Sequence, residues 1–332
     1  MTEVPFEKYD GAGNDFVVVD SEADPVEDRA AFARIHCDRE AGVENAAGAR
    51  HGADGVLFLS LDEGADPAEV TMTLVQPDGS IAEMCGNGAR CVAAWAADRS
   101  GLSTFDIDTP AGTRRAVVDS DEIAVEMGEP TFAPQNVPLA GDDPLIDATL
   151  DELADTPAVG HRVTVVNTGV PHAVVFVNDV DAVDIDAVAP PIRHAAAFPE
   201  GANVTFASVS ADRAGALDAA PDGDGFRQRT FERGVEGETR ACGTGAVAVA
   251  AAAKRLGRLP DGAADSEWIT VSPPGGDLGV AVPDDEPARL RGPAEKRFDG
   301  QLSVPEDDRI AGVTGEAALG ADRLNEDPGS ER

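Results

Sequence analysis

The sequence predicts an α+β fold of two pseudo-symmetric lobes, each a curled, mainly antiparallel sheet around a central helix. Three observations carry this reading. The turn Cys85-Gly86-Asn87-Gly88-Ala89 returns 157 residues later as Cys242-Gly243-Thr244-Gly245-Ala246, and an alanine-rich helical stretch follows each, at 92–97 and 249–254. Segments 105–119 and 268–282 both read as a strand, a turn with Pro and Gly, and a second strand. Upstream, 13-GNDFVVVD-20 lies against 169-GVPHAVVF-176 at nearly the same offset. Two unrelated helices of biased composition would not share flanking turns and strands as well. A repeat of about half the chain means two similar units, unlike the short repeats of solenoids.

In chain order, the first strand is expected at 14–20 and a helix over 27–40. A Gly- and Ala-rich loop covers 41–53. Strands follow at 55–60 and 69–76, and the turn at 77–80 leads into the first cysteine helix. Strands at 105–108, 115–119 and 123–127 complete the first unit, and the proline-containing stretch 128–138 reads as a connector. The second unit repeats the theme. Strands are expected at 162–167 and 172–177, a helix near 191–198, and strands at 203–209 and 226–232. The second cysteine helix follows, then strands at 268–271 and 278–282. Residues 301–332 are acidic and weakly periodic, and are expected to form a loosely ordered tail.

A Cys-Gly-x-Gly turn opening a helix places a thiol at the positive end of the helix dipole, beside N–H groups without intrahelical partners. A cysteine pKa of about 8.5 falls to roughly 3.5–7.5 in such a setting. Two such thiols facing one carbon acid can take a proton from one face and deliver another to the opposite face. The N–H groups of Gly86, Asn87, Gly243 and Thr244 are suited to the enediolate-like charge that develops. Only three lysines are present (Lys8, Lys254 and Lys296), none in a motif, which disfavours a Schiff base. Glu232 and Arg233 stand just before the second thiol turn, where a charged pair can bind an ammonium and a carboxylate; the plainer reading is a surface ion pair. His172 aligns with the N-terminal element that carries Asn14; a packed core histidine is the alternative. For Asn14 and Asn203 the alternative is turn chemistry.

Composition bounds the partners. The net charge is −36, with 62 acidic against 26 basic residues, so nucleic-acid binding is disfavoured. An acidic, lysine-poor surface suits concentrated salt, where the Debye length is about 3 Å at 1 M, and a salt-adapted host is expected. No stretch approaches the ~20 apolar residues of a membrane span. The first residues carry no basic region followed by an apolar run, so a soluble, cytoplasmic protein is expected. The four cysteines, Cys37, Cys85, Cys91 and Cys242, should stay reduced, and their spacing fits no zinc site, so no metal is expected.

Taken together, 11-GAGNDFVVVD-20, 78-DGSIAEMCGNGARC-91, 170-VPHAVV-175, 199-PEGANV-204, 231-FERGVEGETRACGTGA-246, 273-PPGG-276 and 298-FDG-300 resemble the diaminopimelate epimerase family, in family order over nearly residues 5 to 300. The resemblance implies two lobes, 1–128 with about 289–300 (Cys85) and 129–288 (Cys242), with the site between them. It implies interconversion of LL- and meso-diaminopimelate on the route to lysine, without cofactor, in a homodimer. Cys85 and Cys242 would be the acid/base pair. Gly86, Asn87, Gly243 and Thr244 would hold the reacting end, and Asn14, Gln76, Asn203, Glu232 and Arg233 would contact the rest of the substrate. His172 and Glu232 would tune the thiols. At three positions the chain departs from the family: Val170 and Gln76 stand where Asn is usual, and Gly55 where many relatives carry a polar contact residue. Two alternatives stay open, a proline or hydroxyproline racemase-type isomerase and a non-catalytic amino-acid-binding relative.

Overall fold

The computed structural model describes residues 2–44, 50–120, 122–209, 225–259 and 268–305. The first half contains β1 (Glu3–Gly11), β2 (Asn14–Asp20), α1 (Arg29–His36), β3 (Gly55–Asp62), β4 (Ala68–Val75), β5 (Ile81–Ala82), α2 (Gly86–Ser100), β6 (Thr104–Asp108), β7 (Arg114–Asp119) and β8 (Glu122–Gly128). The second contains β9 (Ala148–Thr149), β10 (Arg162–Asn167), β11 (Pro171–Phe176), α3 (Ile185–Arg193), β12 (Asn203–Val209), β13 (Gly225–Glu232), β14 (Gly237–Thr239), α4 (Gly243–Arg255), β15 (Ile269–Ser272), β16 (Leu278–Ala281) and β17 (Ala288–Gly292). Strand β18 (Glu295–Ser303) follows.

The two halves repeat one pairing scheme. β1–β2 is antiparallel, β2–β3 parallel, β3–β4 antiparallel, β4–β6 parallel, and β6–β7–β8 antiparallel. The same succession of senses runs through β10–β11, β11–β12, β12–β13, β13–β15 and β15–β16–β17. Each parallel pair is bridged by a helix, because a tight turn cannot bring parallel neighbours together. The α+β class expected from the repeat is therefore the one observed. β8 pairs with β17, which joins the halves in one continuous sheet. β18 returns to β1, and the Val304 N–H donates to the Thr2 carbonyl at 2.7 Å.

Helices α2 and α4 fill the two curls of the sheet. α4 is buried on all sides from Ala246 to Ala253, which only a small-residue helix enclosed all round can be. Trp95, Leu57, Leu59, Phe105 and Ile107 close the core around α2. Val174, Phe226, Val271 and Leu290 do so around α4. The outer helices α1 and α3 lie over separate clusters built on Phe32 and Phe58, and on Phe198 and Phe206. Among the described residues, no helix is long and apolar enough to cross a membrane.

Several boundaries differ from expectation. The helix expected over 27–40 spans only Arg29–His36. Asp28 caps its start, and Asp38 Oδ1 accepts from the Glu40 and Ala41 N–H groups, turning the chain away. The helix expected near 191–198 runs instead over Ile185–Arg193, because Asp184 caps it earlier and accepts from Ala187; Pro190 and Pro191 fall inside it. β1 went unforeseen because it buries Lys8 within its apolar pattern. β18 went unforeseen because it is almost wholly polar and exposed. Residues 301–303 thus belong to a strand and not to the expected loose tail; residues 306–332 lie outside the described residues.

Candidate active site

Both central helices start at a cysteine. Cys85 (φ −145°, ψ 110°) and Cys242 (φ −130°, ψ 103°) are extended N-cap residues, so each thiol stands over the open first turn of its helix. Cys85 Sγ accepts from the Gly88 N–H at 3.4 Å. Cys242 Sγ lies 3.4 Å from Thr244 Oγ1.

The two turns meet over β17 at the junction of the halves. A Cβ added to Gly86 would lie 3.0 Å from Leu290 Cδ2, and one added to Gly243 would lie 2.7 Å from the same atom. The added Cβ at Gly243 would also lie 3.3 Å from Asn87 Oδ1. One buried methyl group therefore floors both helix ends, and glycine at each first position lets them converge. The charge of Glu232 acts on both thiols. The structure thus brings together Cys85, Gly86, Asn87, Cys242, Gly243, Thr244 and Glu232. Asn14 joins them by accepting from Asn87 Nδ2.

A hydrogen-bond chain leads from Arg233 to the second thiol turn. The Arg233 N–H donates to Asn203 Oδ1 at 2.7 Å, so the Asn203 NH2 faces His172 Nε2 at 3.4 Å. Nε2 is then the acceptor, and Nδ1 carries the proton and donates to Thr205 Oγ1 at 2.9 Å. The Thr244 hydroxyl donates to Nε2 at 3.0 Å, and its oxygen lies 3.4 Å from Cys242 Sγ. Burial holds His172 neutral, its pKa depressed to about 3, and the nearby Arg233 charge adds to this. His172 is therefore a neutral acceptor for the Thr244 hydroxyl and not a cation.

The thiols do not follow the helix-end expectation of a lowered pKa. Burial pushes Cys85 up, against the Gly88 N–H and the charge of Arg90. Burial also pushes Cys242 well above the ordinary thiol range, and the Glu232 charge adds to it. Desolvation of a thiolate outweighs the partial charges of one helix end. Burial likewise raises Glu232, against hydrogen bonds from Thr239 and Cys242.

The sheet registers explain why the two thiols differ. Phe16 faces Gly55 on β2–β3 where His172 faces Asn203 on β11–β12. Val56 faces Val75 where Val204 faces Phe231, so Gln76 holds the place that Glu232 holds in the other half. Cys242 thus has the polar surroundings and Cys85 the apolar ones. Gln76 is exposed, its amide donating to Ser80 Oγ at 2.9 Å within its own turn. A Cβ at Gly55 would lie 2.6 Å from Leu74 Cδ1 and 3.1 Å from the Val75 carbonyl, so a side chain there requires Leu74 to shift. Val170 is half-buried in the β10–β11 turn, next to Thr168, whose hydroxyl donates to the Thr244 carbonyl at 2.9 Å. Glu232 and Arg233 do not pair with each other; Arg233 Nη1 reaches the Glu200 and Gly201 carbonyls.

Sequence reasoning missed several residues of the site. Gln228 Nε2 donates to Thr230 Oγ1 at 2.9 Å and to the Cys242 carbonyl at 3.2 Å. The Thr239 hydroxyl donates to Glu232 Oε1. The available signal was polar residues at 228, 230 and 232, alternate positions on one face of a buried strand. Among the described residues, no group of three or more His, Cys, Asp or Glu side chains is placed to hold a metal ion.

The diaminopimelate epimerase family profile matches residues 6–133 and 164–296. The chain is 40% identical over 315 residues to a diaminopimelate epimerase of Methanocella arvoryzae, covering 92% of this chain and 98% of that protein. It is 40% identical over 305 residues to a diaminopimelate epimerase of Xanthomonas axonopodis pv. citri, covering 89% and 95%. Its fold is similar to a PhzF-family phenazine biosynthesis protein of Bacillus anthracis, at TM-score 0.58 and 17% identity, covering 92% of this chain and 100% of that one. It is also similar to a hydroxyproline epimerase of Agrobacterium vitis with bound trans-4-hydroxy-L-proline, at TM-score 0.56 and 16% identity, covering 91% of each chain.

Proposed function

The chain belongs to the diaminopimelate epimerase family, and on that premise we propose that Cys85 and Cys242 are the two bases with which it converts LL-2,6-diaminopimelate to meso-diaminopimelate in lysine biosynthesis. The observation that carries this is the convergence of two cysteine-capped helices on Leu290, with Asn87 of one turn against Gly243 of the other.

The two thiols have different resting roles. Cys85 accepts an N–H and has the Arg90 charge nearby, so it is the one to ionise first. Burial and the nearby Glu232 charge keep a proton on Cys242. A thiolate raised by burial is a stronger base once formed, which suits a weak carbon acid. Cys85 Sγ takes the Cα proton from one face, and the freed electron pair passes into the α-carboxylate. The N–H groups of Gly86, Asn87, Gly243 and Thr244 stabilise the charge on its oxygens. Cys242 then delivers its proton to the opposite face, and the roles exchange in the reverse direction. Asn14, Asn203, Glu232 and Arg233 hold the distal amino-acid end, with Gln76 on the rim.

The test is isotopic. Given LL-diaminopimelate in D2O, the enzyme is expected to place deuterium at one Cα only of the meso product formed at low conversion, before reversal makes the two ends of the LL isomer equivalent, read by NMR. Label at both centres, or at neither, contradicts the reading.

We extend the proposal to a cytoplasmic homodimer adapted to salt, on the family resemblance and the net charge of −36. Molar KCl, which screens self-repulsion beyond about 3 Å, is expected to raise both activity and melting temperature over dilute buffer. A flat response removes the salt adaptation and leaves the catalytic reading standing.

A further inference from the structure

Asp54 lies outside the motifs that mark the site, yet it sets the orientation of two of the site's amides. It immediately precedes β3 and is about a quarter exposed. Its Oδ2 accepts from Asn14 Nδ2 at 3.1 Å and from the Asp15 N–H at 3.0 Å. Its Oδ1 is paired with Arg39, and Arg50 Nη1 lies 3.7 Å from Oδ2. A carboxylate facing two guanidinium groups only accepts hydrogen bonds. The Asn14 amide must therefore turn its NH2 to Asp54 and its oxygen to Asn87. Asn14 Oδ1 in turn takes the hydrogen bond from Asn87 Nδ2. The remaining atom of that amide, Asn87 Oδ1, is left buried without a hydrogen-bond partner, in a residue only 1% exposed. It stands 3.3 Å from where a Cβ on Gly243 would be, at the meeting of the two thiol turns.

We propose that Asp54 is a positioning residue: through Asn14 and Asn87, its carboxylate holds an acceptor oxygen beside the reacting carbon, where that oxygen receives the α-ammonium of the substrate. The proposal rests on the epimerase reading above. A buried acceptor without a donor is unfavourable in the free enzyme, and an ammonium group relieves it. With the amide reversed, an NH2 would face the ammonium with like polarity.

Three variants, each with its melting temperature, test this by steady-state kinetics on LL-diaminopimelate. Asp54→Asn no longer dictates the amide sense and is expected to raise KM about tenfold, the effect of one misplaced acceptor, with kcat within about twofold. Arg39→Gln removes the ion pair but keeps the Asp54 carboxylate, so melting is lowered while KM stays within about twofold. The exchange variant Asn14→Asp/Asp54→Asn restores an acceptor-only group at position 14, and its KM is expected to fall well below that of Asp54→Asn. If Asp54→Asn does not fold, the exchange variant is compared with Asn14→Asp alone, which leaves two carboxylates facing each other and is expected to have the higher KM. An unchanged KM in Asp54→Asn, an equal rise in Arg39→Gln, or no recovery in the exchange variant would overturn the proposal. Wild-type turnover is measured first and bears on the function; the role of Asp54 is read from ratios to it.

Discussion

Alanine at position 85 or 242 is expected to abolish net epimerisation, lowering kcat/KM by at least roughly 10²–10⁴-fold, the range for loss of a positioned acid or base. Inversion needs proton removal and delivery on opposite faces, and each variant keeps a thiol on one face only. That thiol can still return the proton to the side it came from. Each variant should therefore exchange the substrate Cα proton with solvent, if it acts at all, without changing configuration. Optical rotation and deuterium content, followed on one sample, separate the two events. The variants should fold: Cys85 is only partly buried, and the sulfur contacts across the two turns, each 3.4 Å, are weak. Normal turnover by either variant would defeat two-base chemistry at these residues.

Gly243→Ala is expected to cost about 100-fold in kcat/KM, the scale set by a misplacement of about 1 Å in a reacting constellation. The new Cβ would sit 2.7 Å from Leu290 Cδ2, inside contact distance. Leu290 is fully buried and already lies under Gly86, so it cannot retreat without moving the other thiol turn. Overpacking of this kind also costs about 1–3 kcal/mol of stability. Adding Leu290→Ala to Gly243→Ala should recover part of the activity, because the clash is with that side chain. Gly141→Ala, where an added Cβ meets nothing within 4 Å, is the control and should match wild type. If Gly243→Ala keeps wild-type kcat/KM, the close approach of the helix ends is not needed for the reaction.

What the sequence disclosed follows from the range over which each feature is determined. A Cys-Gly-x-Gly turn capping a helix is local, so both thiols, their helices and the twofold repeat were legible. So was the enclosure of α4, whose run of alanines leaves no polar face. The edges of elements were less so: α1 is ended by Asp38, and α3 is started by Asp184, through single side-chain bonds. β18 has no hydrophobic period, and only its pairing with β1 makes it a strand. The thiol pKa values were misjudged in sign because burial depends on what the distant β17 and β13 place around the sulfurs. Asp54 escaped notice because its partners, Asn14 and Arg39, are distant in sequence and meet it only in the folded sheet.

The pairing of β18 with β1 bears on how the molecule is made. A ribosome that has released the first 290 residues has produced nearly all of the N-terminal lobe but not the strand that covers its opening edge. That edge stays available to other chains until the last strand emerges, a hazard for any exposed sheet margin. Since Thr2 and Val304 lie side by side, a circularly permuted gene that translates 295–303 ahead of residue 2 would cover the margin at the outset.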